Sequence, residues 1–335
     1  MIKLAIDLGS STTKIFRADT GNGIVLVEPS CVAVTGEEHE IKAIGKAAKK
    51  LIGKTSEGTN IVFPVYEGEI VDGRLAAAML KEFLNRIGIN GVAFKRMQVV
   101  FNVPCGASDG LLSDYTALAQ ECGLKNVAFV ETPYLVALGG DAVLSDFNPV
   151  FCIDIGGGVS NVAVVSPDGI IAGLSMNIGG NNMDAHIISR MAQIKRLHIG
   201  TLTAERIKNE IGSLAENARG GTFAEGSSVV DYRPASTNVQ AAEIADCISR
   251  YVDKVLEYSI MVLKKLPAEV AATVKQNGAF LSGGVMKIPC VAKYIGERLK
   301  MHIHVCEEPQ FAAISGAGEV VRDKKLLAKI KRNFE

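Results

Sequence analysis

Ile6-Asp-Leu-Gly-Ser-Ser-Thr-Thr-Lys14 near the start of the chain and Ile153-Asp-Ile-Gly-Gly-Gly-Val-Ser-Asn161 in its middle are two versions of one unit. Laying residues 2–24 over 149–171 puts Asp7 on Asp154 and Gly9 on Gly156, and each copy reads strand, acidic glycine turn, strand, turn. Lys3-Leu-Ala-Ile6 enters the first turn and Lys14-Ile-Phe-Arg-Ala18 leaves it; Val150-Phe-Cys-Ile153 and Asn161-Val-Ala-Val-Val165 do the same for the second. Runs rich in β-branched residues, bounded by turn residues, make each unit a β-hairpin. A duplicated fold follows.

An aspartate followed by a tight turn of small hydroxyl residues suits a triphosphate. The turn's N–H groups and the hydroxyls of Ser10, Ser11, Thr12 and Thr13 are donors for phosphate oxygens. Asp7 then faces a Mg²⁺ ion through water, and Lys14 brings an ammonium to the β-phosphate. In the second copy Gly156, Gly157 and Gly158 let phosphate approach the backbone where a Cβ would obstruct it, and Asp154 is a second metal-facing carboxylate. Standing alone, the first turn reads rather as an ordinary hairpin with a polar tip, and one glycine triplet is weak evidence. The two together, with Ser282-Gly-Gly284 after a third strand, select a nucleotide site.

Outward from these turns, Leu75, Met79, Phe83 and Ile87 trace a helix face closed by Gly88. Residues 98–103 and 127–130 read as strands, 113–122 and 133–138 as helices, the last with proline in its first turn. Helices follow at 182–193 and 203–212, the latter with Thr203 as N-cap. Residues 219–238 are a surface hairpin or loop, Ile244 to Val262 form a long helix, Ala279-Phe-Leu281 a strand, and the basic tail from Lys324 to Arg332 an amphipathic helix. Such alternation gives an α/β chain with mixed sheets flanked by helices, and 335 residues exceed what a single core usually supports, so two lobes are expected.

The 36 basic and 36 acidic residues balance, so no global field steers the chain to nucleic acid, and no nucleic-acid partner is expected. Seven cysteines without a Cys-x-x-Cys pair fit a reducing cytosol. The N-terminus lacks a signal-peptide pattern, and no run approaches the roughly 20 apolar residues of a spanning helix. Gly53-Lys54-Thr55 imitates the end of a P-loop, but Ala48 stands where that motif needs glycine. Gly156 to Gly158 leads into a strand, not the helix of a dinucleotide fold. His302 and His304 share a strand face without the further ligands that zinc needs.

The chain resembles the bacterial actins that determine rod shape, MreB and Mbl, along nearly its whole length. The matches run in order through Ile6-Asp-Leu-Gly9, Glu28-Pro-Ser30, Ile52-Gly-Lys-Thr55, Asp72-Gly73, Asp154-Ile-Gly-Gly-Gly158, Thr203-Ala-Glu-Arg-Ile-Lys208 and Leu281-Ser-Gly-Gly284. The resemblance implies a duplicated actin-like fold of four subdomains: IA (1–32 and 68–146), IB (33–67), IIA (147–181 and 240–335) and IIB (182–239). It implies ATP and Mg²⁺ in the central cleft, with Glu205 and Lys208 at the ribose and adenine and with Gly283, Gly284, Val285 and Met286 flanking the nucleotide. For Glu205 and Lys208, a role in helix packing is the competing expectation.

It further implies self-assembly into filaments that organise cell shape or another envelope process, with envelope or cell-wall synthesis proteins as partners. The expected location is the cytoplasm, at the inner membrane face where an apolar loop, Val92-Ala93-Phe94 with Lys95-Arg96 behind it, meets lipid. Folding of that loop back onto its lobe is the alternative. The competing functions are a non-polymerising ATPase switch and a degenerate partner that copolymerises with an active paralogue. One departure concerns hydrolysis. Where the family has a water-orienting glutamate before proline, this chain has Glu131-Thr132-Pro133, and Val159-Ser160-Asn161 replaces Thr-Thr-Glu. Glu131 and Thr132 are the candidate catalytic positions, and slow ATP hydrolysis is expected.

Overall fold

The computed structural model describes residues 1–20, 23–36, 40–54, 58–90, 97–142, 144 and 148–332. The first half opens with β1 (Ile2–Leu8), β2 (Thr12–Arg17) and β3 (Gly23–Pro29). Next come β4 (Val32–Thr35), β5 (Glu40–Ile44), α1 (Lys46–Lys49), β6 (Thr59–Val62), β7 (Val65–Tyr66) and β8 (Glu69–Ile70). Then α2 (Gly73–Arg86), β9 (Met97–Val103), α3 (Asp109–Glu121), β10 (Val127–Glu131) and α4 (Thr132–Gly139) complete it. The second half runs β11 (Val150–Ile155), β12 (Ser160–Ser166), β13 (Gly169–Met176), α5 (Gly180–Lys195), β14 (Leu197–His198) and α6 (Thr201–Ile211). After β15 (Gly221–Ser228), β16 (Pro234–Gln240), α7 (Ala241–Lys264), α8 (Ala268–Asn277) and β17 (Ala279–Ser282) come α9 (Val291–Leu299), β18 (Ile303–Val305), α10 (Ala312–Arg322) and α11 (Lys324–Ile330).

The duplication in the sequence is a duplication of topology. One sheet has the order β10-β9-β1-β2-β3 and the other β18-β17-β11-β12-β13. In each, the central strand pairs antiparallel with the next strand of its hairpin and parallel with a later one (β1 with β2 and β9, β11 with β12 and β17). Two three-stranded sheets, β5-β4-β6 and β14-β15-β16, lie one in each half.

Between the five-stranded sheets lie α4 and α10. Tyr134 and Val136 of α4 pack with Val150, Cys152 and Ala163 of the second sheet. Ile314 and Ala317 of α10 pack with Ala5 and Val100 of the first, so each half closes the other's core. Gly139 and Gly316 make the crossing possible. A Cβ at Gly139 would run into the Ala312 carbonyl of α10, and one at Gly316 into the Leu135 carbonyl of α4. Helix α11 is amphipathic as expected: Leu327 is buried, while Lys329 pairs with Asp168 of the second half at 2.7 Å.

Several helices begin earlier than their sequence pattern suggests. α6 starts at Thr201, because the first helical bond runs from Ala204 N–H to the Gly200 carbonyl, making Gly200 rather than Thr203 the cap. α3 starts at Asp109, where the Ser108 hydroxyl accepts from Leu111 N–H. Residues 219–238 resolve into the β15–β16 hairpin.

Candidate functional site

Asp7 and Asp154 sit at matching places near the carboxyl ends of the two central strands, facing a cleft of about 430 Å³ between the halves. Ligands in open α/β sheets gather at such strand ends. The hairpin register then fixes a partner for each aspartate. Lys14 stands opposite Asp7 and donates to Oδ2 at 2.6 Å; Asn161 stands opposite Asp154 and donates from Nδ2 to Oδ2 at 3.2 Å. The second oxygens are also held, Asp7 Oδ1 by Asn102 Nδ2 (3.1 Å) and Asp154 Oδ1 by the Ser282 hydroxyl (2.5 Å). Burial holds the Asp154 carboxyl above the ordinary carboxylate range, against the Ser282 and Asn161 hydrogen bonds, and the Asp7 charge adds to the rise.

The two glycine turns meet across the cleft floor. A Cβ at Gly157 would lie 2.7 Å from Ser11 Cβ, and one at Gly158 would lie 2.7 Å from Ser10 Oγ, so both glycines serve this approach as well as access to the backbone. Ser10 Oγ accepts from Gly68 N–H at 3.0 Å, tying the turn to the β7–β8 hairpin. Helix α5 begins on the second turn, its Gly180 and Asn181 N–H groups donating to the Gly156 and Gly157 carbonyls. Ser10, Ser11 and Thr12 line the cleft. Thr13 does not. Strand alternation turns it into the core, where its hydroxyl meets Ser30 Oγ at 2.8 Å.

At the candidate hydrolytic positions, Thr132 is buried and lines the cleft, its hydroxyl within donating distance of Asn102 Oδ1 (2.7 Å) and the Val103 carbonyl (2.9 Å). Glu131 lies outside the lining, and its carboxylate accepts from Gly106 N–H at 2.5 Å.

The far end of the cleft is polar and buried. Lys208, on α6, donates to Asp184 Oδ2 (2.8 Å) and to the Gly180 carbonyl (3.1 Å); Asp184 Oδ1 is buried without a hydrogen-bond partner among the described residues. Glu205, one helical turn before Lys208, also lines this end, as do Gly283, Gly284 and Val285. Met286 does not, because the 3-10 turn Gly284–Lys287 directs it into the second half's core.

Burial pushes the Asp184 carboxyl up to about 6, even though the Lys208 charge and hydrogen bond pull it down; Glu205 raises it and Lys49 lowers it. Between its ordinary value of 3.8 and about 6, the folded chain holds a proton that the unfolded chain has released. This group's contribution to stability therefore falls as pH rises through that window, by roughly 3 kcal/mol in all. Asp184→Asn removes the titration. Thermal melts without nucleotide should show the Tm difference between variant and wild type moving by about 5 °C in the variant's favour from about pH 4 to about pH 7; a constant difference would refute the shift.

A family model described as MreB/Mbl protein matches residues 1–329. The chain belongs to the MreB/Mbl family. The cell shape-determining protein MreB of Escherichia coli (strain K12) is 30% identical over 329 residues, covering 95% of this chain and 92% of that protein. MreB5 of Spiroplasma citri bound to AMPPNP superposes with a TM-score of 0.89 at 26% identity, over 97% of this chain and 96% of that one. MamK, solved as a double helical filament, shares the actin-like fold (TM-score 0.80) at 18% identity, over 96% and 99% of the two chains.

Within this MreB/Mbl site, no sequence pattern singles out Asn102, Asp184 or the side chain of Ser282. Asn161 is accessible in the sequence, since it follows Asp154 by seven residues as Lys14 follows Asp7. Val92, Ala93 and Phe94, with Lys95 and Arg96 behind them, lie outside the described residues. Among the described residues, no helix is long and apolar enough to cross a membrane.

Proposed function

We propose that this chain binds ATP with Mg²⁺ in the cleft between its halves, hydrolyses it slowly, and assembles head to tail into filaments that organise cell shape or another envelope process. The observation that carries this reading is the pair of Asp-Gly turns, from equivalent strands of a duplicated fold, converging on one cleft floor. Ser10, Ser11, Thr12 and Lys14 meet the phosphates from one side and Gly156 to Gly158 from the other. Glu205, Lys208 and Asp184 meet the sugar and base beside Gly283, Gly284 and Val285. Two facing carboxylates, each already held by an amide or ammonium donor, suit a hard cation bound through water. Mg²⁺ would neutralise phosphate charge there, with Asp7 and Asp154 as its protein partners. Nucleotide binding and assembly draw support from the relatives: MreB5 was solved with AMPPNP, and MamK, which shares the fold, as a double helical filament.

The four-subdomain division inferred from the sequence belongs to the same proposal, as does peripheral membrane contact through Val92, Ala93 and Phe94. A monomer would gain only roughly 1.5–3 kcal/mol from burying one phenylalanine, so lipid binding follows assembly. Sedimentation with ATP and Mg²⁺, with and without anionic vesicles, followed by negative-stain microscopy, tests the whole. Filaments from the pure chain are expected. Nucleotide binding without sedimentation would make the chain a non-polymerising switch, and assembly only with a second actin would make it a copolymerising partner.

A further inference from the structure

Lys49, at the end of α1 in the half that holds the β5-β4-β6 sheet, reaches across the cleft mouth to Glu205 on α6 in the opposite half. Its Nζ lies 2.7 Å from Glu205 Oε2 and 3.0 Å from Oε1, so both carboxylate oxygens face one ammonium. Glu205 and Lys208 are three residues apart and share a helix face. Lys49, Glu205, Lys208 and Asp184 thus form a row of alternating charge from the rim of one half into the buried end of the cleft. Lys208 and Asp184 are locked by burial and by each other. Glu205 is one-third exposed, and its ion pair is with a residue of the other half.

We propose that Lys49 is a positioning residue for the bound nucleotide: by gripping Glu205 from the opposite half it aims that carboxylate at the sugar and makes nucleotide release depend on opening the cleft. This rests on the nucleotide reading above. A carboxylate has lone pairs enough to accept from an ammonium and from sugar hydroxyls together, so the ion pair and the nucleotide contact are compatible. Because the two charges sit on different halves, the pair exists only while the halves are together. Parting them breaks it, and the same movement unclamps the sugar.

The test is the rate at which radiolabelled ADP, free of any label on the sugar, leaves the full-length protein after a chase with unlabelled ADP. Proteins compared are wild type, K49M, K49R, E205Q and K49M/E205Q. Partly exposed ion pairs contribute modestly, so K49M should release ADP about fivefold faster. K49R should stay within about twofold of wild type, since it keeps the charge and reach. In the E205Q background K49M should add nothing, because two residues acting through one contact are non-additive. The proposal is overturned by a K49M rate within twofold of wild type, by K49R as fast as K49M, or by an undiminished K49M effect in E205Q, which would mean that Lys49 acts without Glu205. Wild-type protein that retains no labelled ADP would instead sink the nucleotide reading itself.

Discussion

Gly316→Ala is expected to destabilise the protein by about 3 kcal/mol or more, although alanine is the better helix former by about 1 kcal/mol. The methyl group has nowhere to go. At this point of α10 the neighbouring atom is the Leu135 carbonyl oxygen on the backbone of α4, and a backbone cannot swing aside like a side chain. Both helices are held between two five-stranded sheets, so relief requires the halves to separate. Gly139 makes the reciprocal contact with Ala312, so one crossing depends on two absent side chains. Urea titration of G316A beside G73A checks this, since a Cβ at Gly73 meets nothing within 4 Å among the described residues. G73A should be neutral or slightly stabilising. A G316A midpoint equal to that of wild type would show that the helices do not approach so closely.

The parts of this architecture that a linear reading reaches are those encoded in short, repeated patterns. The Asp7 and Asp154 turns carry their chemistry within nine residues, and the overlay of residues 2–24 on 149–171 gives the shared topology of both sheets. Adjacency in sequence groups Thr13 with the turn hydroxyls, yet β2 begins at Thr12 and its alternation sends Thr13 inward. Met286 follows two cleft glycines in sequence, but a single 3-10 turn is enough to bury it. Asn102 and Asp184, which line the cleft, and Lys49, which pairs with Glu205 at its mouth, come from three separate elements and meet only through tertiary packing. No local pattern marks them. Asn102 offers a partial clue, since it lies near the carboxyl end of β9, the strand parallel to and beside the one that bears Asp7.

Thr132→Glu is expected to raise phosphate release under assembling conditions by tenfold or more. Orienting or deprotonating the attacking water typically contributes about 10²–10⁴ in rate. The two carboxylates that line the phosphate end of the cleft among the described residues, Asp7 and Asp154, are already engaged. Asp7 and Asp154 each accept at both oxygens, while Glu131 lies outside the lining with one oxygen on Gly106 N–H. Thr132 lines the cleft in the first turn of α4, the place where the family resemblance puts its water-orienting glutamate. A carboxylate there is also favoured by the helix N-terminus. Against this stands the loss of the hydroxyl's contact with Asn102, which will loosen that amide from Asp7. ADP retention must therefore be measured alongside turnover, and Glu131→Ala serves as the control, with turnover within about twofold of wild type. T132E that still holds nucleotide but releases phosphate no faster would refute the proposal that the missing carboxylate at this place limits hydrolysis. Val159 is then the next position, because it lines the same cleft and its isopropyl group, packed near Gly68, offers water no hydrogen bond.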